Sequence, residues 1–400
     1  MSKSKKGKRN VIVGQSGGPT AAINSSLAGV FRTAKDRGYK KVYGMIHGIQ
    51  GLLEGRYIDL SEHIRTGLDA ELLKRTPSAY LGTCRYKLPD ISDNKELYDK
   101  IFQILNDLEI DCFIYIGGND SMDTIRKLAD YGQKIGSSVT FVGAPKTIDD
   151  DLMETDHTPG YGSAAKYIAT TTKEVIRDMV VYEHKPTVFI MEVMGRNAGW
   201  LTAASALARG NDCVGPDLIY LPETDFDLGR FREDVGRILK RKDCVLVVVS
   251  EGIHTADGTF IPELQGADLS VDSFGHKAMG GTAEVLCKFC EKEFGVKTRS
   301  LELSVMQRCG AHIASRTDAE EAFSSGAAAV EAALRGQTGL MATLVRDSND
   351  PYVCSVSLAD VHKISNAEKK VPRSMINEAG NDVTEEFISY ARPLIMGSCM

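Results

Sequence analysis

The sequence predicts an α/β fold made of two mostly parallel sheets with flanking helices. Three observations carry that expectation. Short β-rich runs end in glycine and small polar residues, an amphipathic segment of helical period follows each run, and the pattern renews after about residue 160. Four hundred residues is also long for a single core, so two domains are the natural division.

The first unit is VIVGQSGGPTAAINSSLAGVFRTAKDRG: a strand, a glycine loop and a helix. KVYGMIHGIQGLLEG is the second, although its glycines interrupt any clean helix. In ELYDKIFQILNDLEI, Ile101, Ile104, Leu105 and Leu108 fall on one helical face. DCFIYIGGND is a strand entering a loop, SMDTIRKLADYGQK the next helix and VTFVGAP a further strand. The second series opens with the long helix SAAKYIATTTKEVIRDMVVY and the strand TVFIMEVMG. GWLTAASALARG then reads as a small-residue helix, and DLIYLPE and CVLVVVSEG as strands, the latter ending at an acid and a glycine. Apolar strands alternating with helices give Rossmann-like sheets buried on both faces, with ligands at the carboxyl ends of the strands.

The expected division is a first α/β domain over 1–160, rejoined by about 306–340 from VMQRCG onward, and a second over 161–305. Residues 341–400 are expected as a C-terminal extension packed on the body, with a β run in LMATLVRD and helix near VTEEFISYA.

Composition narrows the function classes. Apolar residues are 42% and charged residues 26%, the proportions of an ordinary soluble globular protein. A net charge of −6 argues against a general nucleic-acid binder, which needs a basic field. No stretch reaches the length of a membrane span, and the basic MSKSKKGKRN has no signal-like apolar core behind it, so a cytoplasmic protein without a membrane partner is expected. Nine scattered cysteines suit a reducing compartment. Cys287 and Cys290 form a lone CxxC within a helical period, which reads as helix-face cysteines rather than a zinc site. The 38 glycines cluster at the ends of hydrophobic runs, where backbone must adopt positive φ or approach something closely.

Four stretches carry candidate chemistry. GQSGGPT, residues 14–20, lies between strand and helix, where backbone N–H groups of Gly17 and Gly18 can hold a phosphate. It matches neither GxGxxG nor GxxxxGK[ST], and an unliganded tight turn fits it as well. In GGNDSMDT, residues 117–124, Asp120 stands where a carboxylate meets a metal or a helix-terminal amide, and Ser121 is a candidate helix cap. In PKTIDDD, residues 145–151, Asp149, Asp150 and Asp151 repel one another unless solvent, a cation or a metal compensates them. They cannot all point the same way. One or two can face Mg²⁺, one can act as general base toward a hydroxyl, and Lys146 can neutralise a phosphate; a solvated loop with self-compensating charge is the alternative.

The fourth stretch is MEVMGRNAG, residues 191–199, where Arg196 brings its fork of donors to the same rim. Arg85 in YLGTCRYKLPD, Glu223 in YLPET and Arg308 in VMQRCGAHIASR occupy corresponding places. Arginines suit phosphates, and Glu223 suits sugar hydroxyls. His312 and Arg316 are spaced i, i+4 and would point together on a helix.

In this order the four motifs resemble the phosphofructokinase family, and within it the pyrophosphate-dependent branch. The similarity runs from the first glycine loop through QRCGAH and returns in NEAGNDVTEEFISYARPLI. It implies reversible phosphoryl transfer from pyrophosphate to the C1 hydroxyl of fructose 6-phosphate, with Mg²⁺ as cofactor. By match to the TIDND motif, Asp149 is the catalytic base and Thr147 lies beside the transferred phosphoryl, with Lys146 and Arg196 as catalytic cations. The donor would be held by Gly17, Gly18, Arg85, Gly118, Asp120, Ser121 and Lys146. The sugar phosphate would be held by Met194, Gly195, Arg196, Glu223 and Arg308, with Thr147 and Asp149 at its hydroxyl and His312 and Arg316 nearby. Asp120, Asp151 and Asn119 would form the metal site.

Family members that use ATP carry glycine at the positions of Asp120 and Lys146. A carboxylate and a lysine there crowd a nucleotide and favour a short anion. The chain also departs from the pattern. Asn119 replaces an aspartate, TIDDD replaces TIDND so that Asp150 adds charge beside the base, and QRGGSP is missing after Arg308. The arginine expected before the MEVMGR strand is absent, with Lys185 the nearest cation. The family further implies a homodimer or homotetramer with active sites near the subunit interface. An ATP-dependent phosphofructokinase and an inactive sugar-phosphate-binding regulatory homologue are the rival readings.

Overall fold

The computed structural model describes residues 10–181, 185–265 and 280–399. Its first half follows strands Asn10–Gln15 (β1), Lys41–Met45 (β2), Tyr57–Asp59 (β3), Ile110–Gly117 (β4) and Thr140–Pro145 (β5). The helices between them are Ile23–Asp36 (α1), Gly48–Leu53 (α2), Leu60–His63 (α3), Gly67–Arg75 (α4), Lys95–Asp107 (α5) and Asn119–Lys134 (α6). The second series runs Tyr161–Met179 (α7), Thr187–Val193 (β6), Trp200–Ala203 (α8), Leu218–Tyr220 (β7), Leu228–Leu239 (α9), Cys244–Ser250 (β8), Thr282–Phe294 (α10) and Lys297–Glu302 (β9). Met306–Cys309 (α11), Arg316–Leu334 (α12), Leu340–Asn349 (β10), Tyr352–Asp360 (β11) and Glu385–Ala391 (α13) complete the chain.

Two sheets result, as the alternating pattern demands. The first has the order β11-β10-β5-β4-β1-β2-β3 and the second β7-β8-β6-β9. The second is parallel throughout, while the first is parallel except at its two edges, where β3 and β11 run antiparallel to their neighbours. β1, β6 and β8 are buried along their whole lengths, which is why they read as unbroken apolar runs. Cys287 and Cys290 are buried free thiols in the core between α10 and its sheet. Among the described residues no helix is long and apolar enough to cross a membrane.

After β9 the chain returns to the first sheet through α12, which packs tightly against α1. A Cβ on Gly29 would lie 2.1 Å from the Phe323 carbonyl oxygen, and one on Gly326 equally 2.1 Å from that of Ser26. The missing side chains let the two backbones touch. Residues 340–360 do not form an appended extension. β10 pairs in parallel with β5, and β11 closes that edge as a hairpin. Beyond them the chain crosses to the other half, where Ile376, Val383 and Phe387 join the core beneath the second sheet.

Two local expectations change. GWLTAASALARG is not one helix: α8 gives way to a tighter 3₁₀ turn over Ala204–Ala208. Ser121 does not cap α6, because the helix begins at Asn119 with Gly118 in the cap position and Ser121 buried inside the first turn.

His157 fastens the loop after β5 to the returning elements. Its ring is buried, with Nδ1 2.8 Å from Asp156 and Nε2 2.7 Å from Glu321 of α12. Asp156 also accepts from Arg346 of β10 at 2.8 Å, and Tyr352 of β11 donates to Glu321 at 2.6 Å. Burial disfavours the imidazolium, but the two carboxylates outweigh it and raise the pKa from 6.5 to about 9. The raised value sets the sign of the pH effect: the contribution is complete below pH 6.5 and is lost as pH climbs through about 9. Denaturant unfolding of the wild type therefore shows stability falling across that window, and His157→Gln flattens the slope. An unchanged slope in the variant counts against the charged pairing.

Candidate active site

The PKTIDDD loop begins where β5 ends. Lys146 N–H donates to the Gly117 carbonyl at 3.0 Å, and Thr158 Oγ1 donates to that of Thr147 at 2.9 Å, so the loop is tied to β4 and to its own return. Asp150 then takes a left-handed conformation, with φ 56°, which an aspartate tolerates at a cost of about 1–3 kcal/mol. Its fully buried carboxylate accepts from Thr158 N–H at 2.9 Å and from Tyr390 Oη at 2.6 Å, and lies 3.4 Å from Lys369 Nζ. The three acids are thereby divided. Asp150 faces the protein, while Asp149 and Asp151 face a cavity of about 930 Å³.

The cavity lies at the carboxyl ends of the strands, between the two sheets. One wall is Ser16, Gly17, Gly18, Gly118, Asp120 and Ser121, at the starts of α1 and α6. Arg85 and Lys87 come from the segment before α5, and Arg308 from α11. Gly17 has φ 77°, and Lys146 Nζ donates to the Gly18 carbonyl at 2.7 Å, resting 3.1 Å from where a Cβ on Gly17 would be. The facing wall is Met194, Gly195, Arg196, Asn197 and Ala198 after β6, with Glu251 after β8. Gln307 accepts from Met194 N–H at 3.1 Å, and Glu251 accepts from Gly195 N–H at 3.3 Å. Arg196 Nε is buried without a partner in the protein, a donor available to a ligand.

The electrostatics follow from burial and crowding. Burial raises the Asp149 pKa, against the pull of Lys146 and the Thr147 hydroxyl. Asp151 is pushed up to about 7 by burial and by the neighbouring Asp149 and Glu368. Burial lowers Lys146 to about 8, opposed by Asp149 and Asp151. Glu251 rises to about 7 through burial and its proximity to Asp149. Burial leads each of these shifts, and the crowding of Asp149, Asp151, Glu251 and Glu368 adds to it.

Several expected site residues stand elsewhere. Glu223 Oε1 accepts from Gly199 N–H at 2.8 Å and Val371 N–H at 2.9 Å, holding two chain segments together outside the cavity lining. Glu251 lines the cavity in its stead. The cue was the acid and glycine closing CVLVVVSEG: β8 adjoins β6, so its end meets MGR, whereas β7 is an edge strand. Asn119 lines the cavity but is committed to the tail, donating to the Ala367 carbonyl at 2.6 Å and accepting from Asn366 N–H at 2.6 Å. Asp150 does not add its charge beside the base, because it faces Tyr390 and Lys369.

His312 and Arg316 do not share a helix. His312 lies on a 3₁₀ turn, edge-on to Tyr167, extended Ser315 intervenes, and the exposed Arg316 opens α12 and donates to Ser398. Lys185 is exposed just before β6, at the opposite end of that strand from Met194. None of these three lines the cavity of its own chain. Conversely, Asn197, Asn366, Glu368 and Lys370 line it, and nothing in their spacing marked them.

Among the described residues, the one group of three able to share an ion at close range is His157, Glu321 and Cys354, away from the cavity. The cavity carboxylates Asp120 and Asp151 belong to no such group of three. That suits Mg²⁺, which takes one or two carboxylates and completes its shell with phosphate oxygens and water.

The sequence model of the family described as phosphofructokinase matches residues 10–333. The chain is similar to the pyrophosphate–fructose 6-phosphate 1-phosphotransferase of Halomonas elongata, at 39% identity over 97% of this chain and 92% of that protein. It is equally similar to the protein of that name from Xanthomonas campestris, at 39% over 97% and 92%. Among solved structures it resembles a pyrophosphate-dependent phosphofructokinase from Marinobacter aquaeolei, with a TM-score of 0.86 and 36% identity, over 98% of this chain and 92% of that one.

The two glutamates make predictions of different size for stability. Glu223→Ala strands two backbone donors and lowers unfolding free energy by about 2 kcal/mol or more. Glu251→Ala removes a desolvated acid with one long hydrogen bond and changes it by less than about 1 kcal/mol. Equal losses in chemical denaturation, or the reverse order, would contradict these assignments.

Proposed function

The chain belongs to the phosphofructokinase family, and we propose that it transfers a phosphoryl group reversibly from pyrophosphate to the C1 hydroxyl of fructose 6-phosphate, giving fructose 1,6-bisphosphate and phosphate. The observation that carries the donor choice is Lys146. Its buried ammonium fills the floor beside Gly17 and Gly18, in the cavity that Asp120 also lines. A lysine and a carboxylate there leave a small, charged subsite, which suits a short anion and repels a nucleotide's α-phosphate end.

The acceptor lies on the Arg196 side, its C1 hydroxyl toward Asp149. Burial gives Asp149 an increased proton affinity, and it takes the hydroxyl proton as the new P–O bond forms. Thr147, whose Oγ1 accepts from Asp149 N–H at 3.1 Å, braces the base beside the transferred group. Arg85, Lys146 and Arg196 spread the charge of the transferring phosphoryl, Arg308 reaches toward the sugar phosphate, and Gly17, Gly18, Gly118 and Ser121 present backbone and hydroxyl donors to the donor phosphates. Met194, Gly195 and Glu251 shape the sugar side. Pyrophosphate is not much more energetic than the sugar ester, so the transfer runs both ways.

Asp120 and Asp151 are the side chains to hold Mg²⁺, without Asn119. Bound there, the ion would neutralise charge on the donor phosphates. Membership of the family supports a homo-oligomer, dimer or tetramer, and Lys185, His312 and Arg316, which lie outside their own cavity, are then the cations to serve a neighbouring subunit's site near the interface.

Initial rates with pyrophosphate, ATP and polyphosphate at fixed fructose 6-phosphate test the donor. Pyrophosphate supports turnover in both directions; strong ATP turnover with none from pyrophosphate overturns the reading. Asp149→Asn lowers kcat by at least about 10²-fold while fructose 6-phosphate still binds. Turnover kept in that variant removes Asp149 as the base, and no turnover in the wild type favours an inactive sugar-phosphate-binding homologue.

A further inference from the structure

After the turn at Asn366, which has φ 63°, residues 367–371 run along the cavity as an irregular strap with neither helix nor strand. Its anchors come from both halves of the molecule. Asn119 holds residues 366 and 367, Lys369 N–H donates to the Asp151 carbonyl at 2.7 Å, Trp200 Nε1 donates to the Lys369 carbonyl at 3.0 Å, and Val371 N–H donates to Glu223. Lys369 itself points inward, its Nζ donating to the Asp156 carbonyl at 2.6 Å.

Exposure alternates along it, with 366, 368 and 370 exposed and 367, 369 and 371 wholly or partly buried. With Ala367, Lys369 and Val371 turned to the protein, Asn366, Glu368 and Lys370 face the cavity. Glu368 is steadied by Asn197 Nδ2, which donates to it at 2.9 Å. Lys370 is not tied in this way: its ammonium acts on the buried Glu223 carboxyl only through space, favouring its ionised form. A flexible lysine on a backbone fixed this firmly loses little freedom beyond its own rotamers when it meets an anion.

Its position gives that anion a side. Lys370 precedes Val371, which is bonded through Glu223 to Gly199, so it stands with Arg196 and Asn197 on the wall after β6. Arg85 and Lys146 stand with the glycine loops, and Arg308 lies between the two walls, 3.6 Å from a Cβ on Gly18 while Gln307 beside it accepts from Met194 N–H. Lys185, His312 and Arg316 lie outside, so Lys370 joins Arg196 and Arg308 as a cation of this chain available to the acceptor.

We propose that Lys370 is a substrate-binding residue, donated by the C-terminal strap, that recognises the phosphate monoester of the acceptor sugar. The assignment deepens the proposed reaction and rests on it for the identity of the acceptor. It adds a cation from a segment beyond residues 10–333, the span that the family model matches.

The test is steady-state kinetics of Lys370→Gln and Lys370→Arg beside the wild type, with saturating Mg²⁺ and each substrate varied in turn. Lys370→Gln raises KM for fructose 6-phosphate about tenfold or more, leaves KM for pyrophosphate within about twofold, and lowers kcat much less than the acceptor KM rises. Lys370→Arg restores most of the loss. A merely structural strap predicts no such split, because the side chain makes no bond that holds the backbone. An unchanged acceptor KM, or a rise confined to pyrophosphate, overturns the proposal. Calorimetric titration of fructose 6-phosphate into wild type and Lys370→Gln separates this result from the fate of the donor assignment. Weaker binding in the variant supports Lys370 even if pyrophosphate is not the donor, and equal binding, or none in either protein, overturns it.

Discussion

The inward turn of Asp150 is the constraint on which the candidate site depends. Three consecutive carboxylates beside one cavity would repel one another and the anions they are meant to serve. A left-handed residue in the middle resolves the conflict, because it sends one acid into a pocket of Tyr390, Thr158 and Lys369 and leaves its neighbours at the rim. A buried acid survives there only because its oxygens are hydrogen-bonded and a cation stands close by. The strain of the turn and the satisfaction of the buried carboxylate thus belong to one device.

That device ties the carboxyl terminus to the chemistry. Tyr390 and Lys369 both come from the tail, so the loop that carries Asp149 is shaped by residues far downstream of it. The same tail supplies β10 and β11 to the first sheet and core residues beneath the second. It spans both halves of the molecule and crosses the cavity between them. His157, the imidazolium shared by Asp156 and Glu321, fastens the outgoing end of the loop to α12. The floor of the site is therefore held from several directions, as a preorganised electrostatic site requires.

The sheets were legible because buried parallel strands write themselves as unbroken apolar runs. The loops at their ends were legible because glycine pairs, arginines and acids recur there. Lys146, Asp149, Asp151 and Arg196 all reach the cavity from such loops. The choice between Glu223 and Glu251 was not legible, since both close a strand and only strand order tells which end meets MGR. Asn119 looked like a ligand by its place in a motif, yet its amide is spent on a segment about 250 residues away, a pairing that local pattern cannot reveal. The strap itself has no periodicity: its alternation appears only once the backbone is anchored.

The most direct test of the divided acids is a crystal structure with fructose 1,6-bisphosphate bound. The account predicts an Asp149 carboxylate oxygen about 3 Å from the C1 ester oxygen, with Asp150 still turned onto Tyr390. Asp150 swung toward the sugar, or Asp149 directed away from it, would contradict the account.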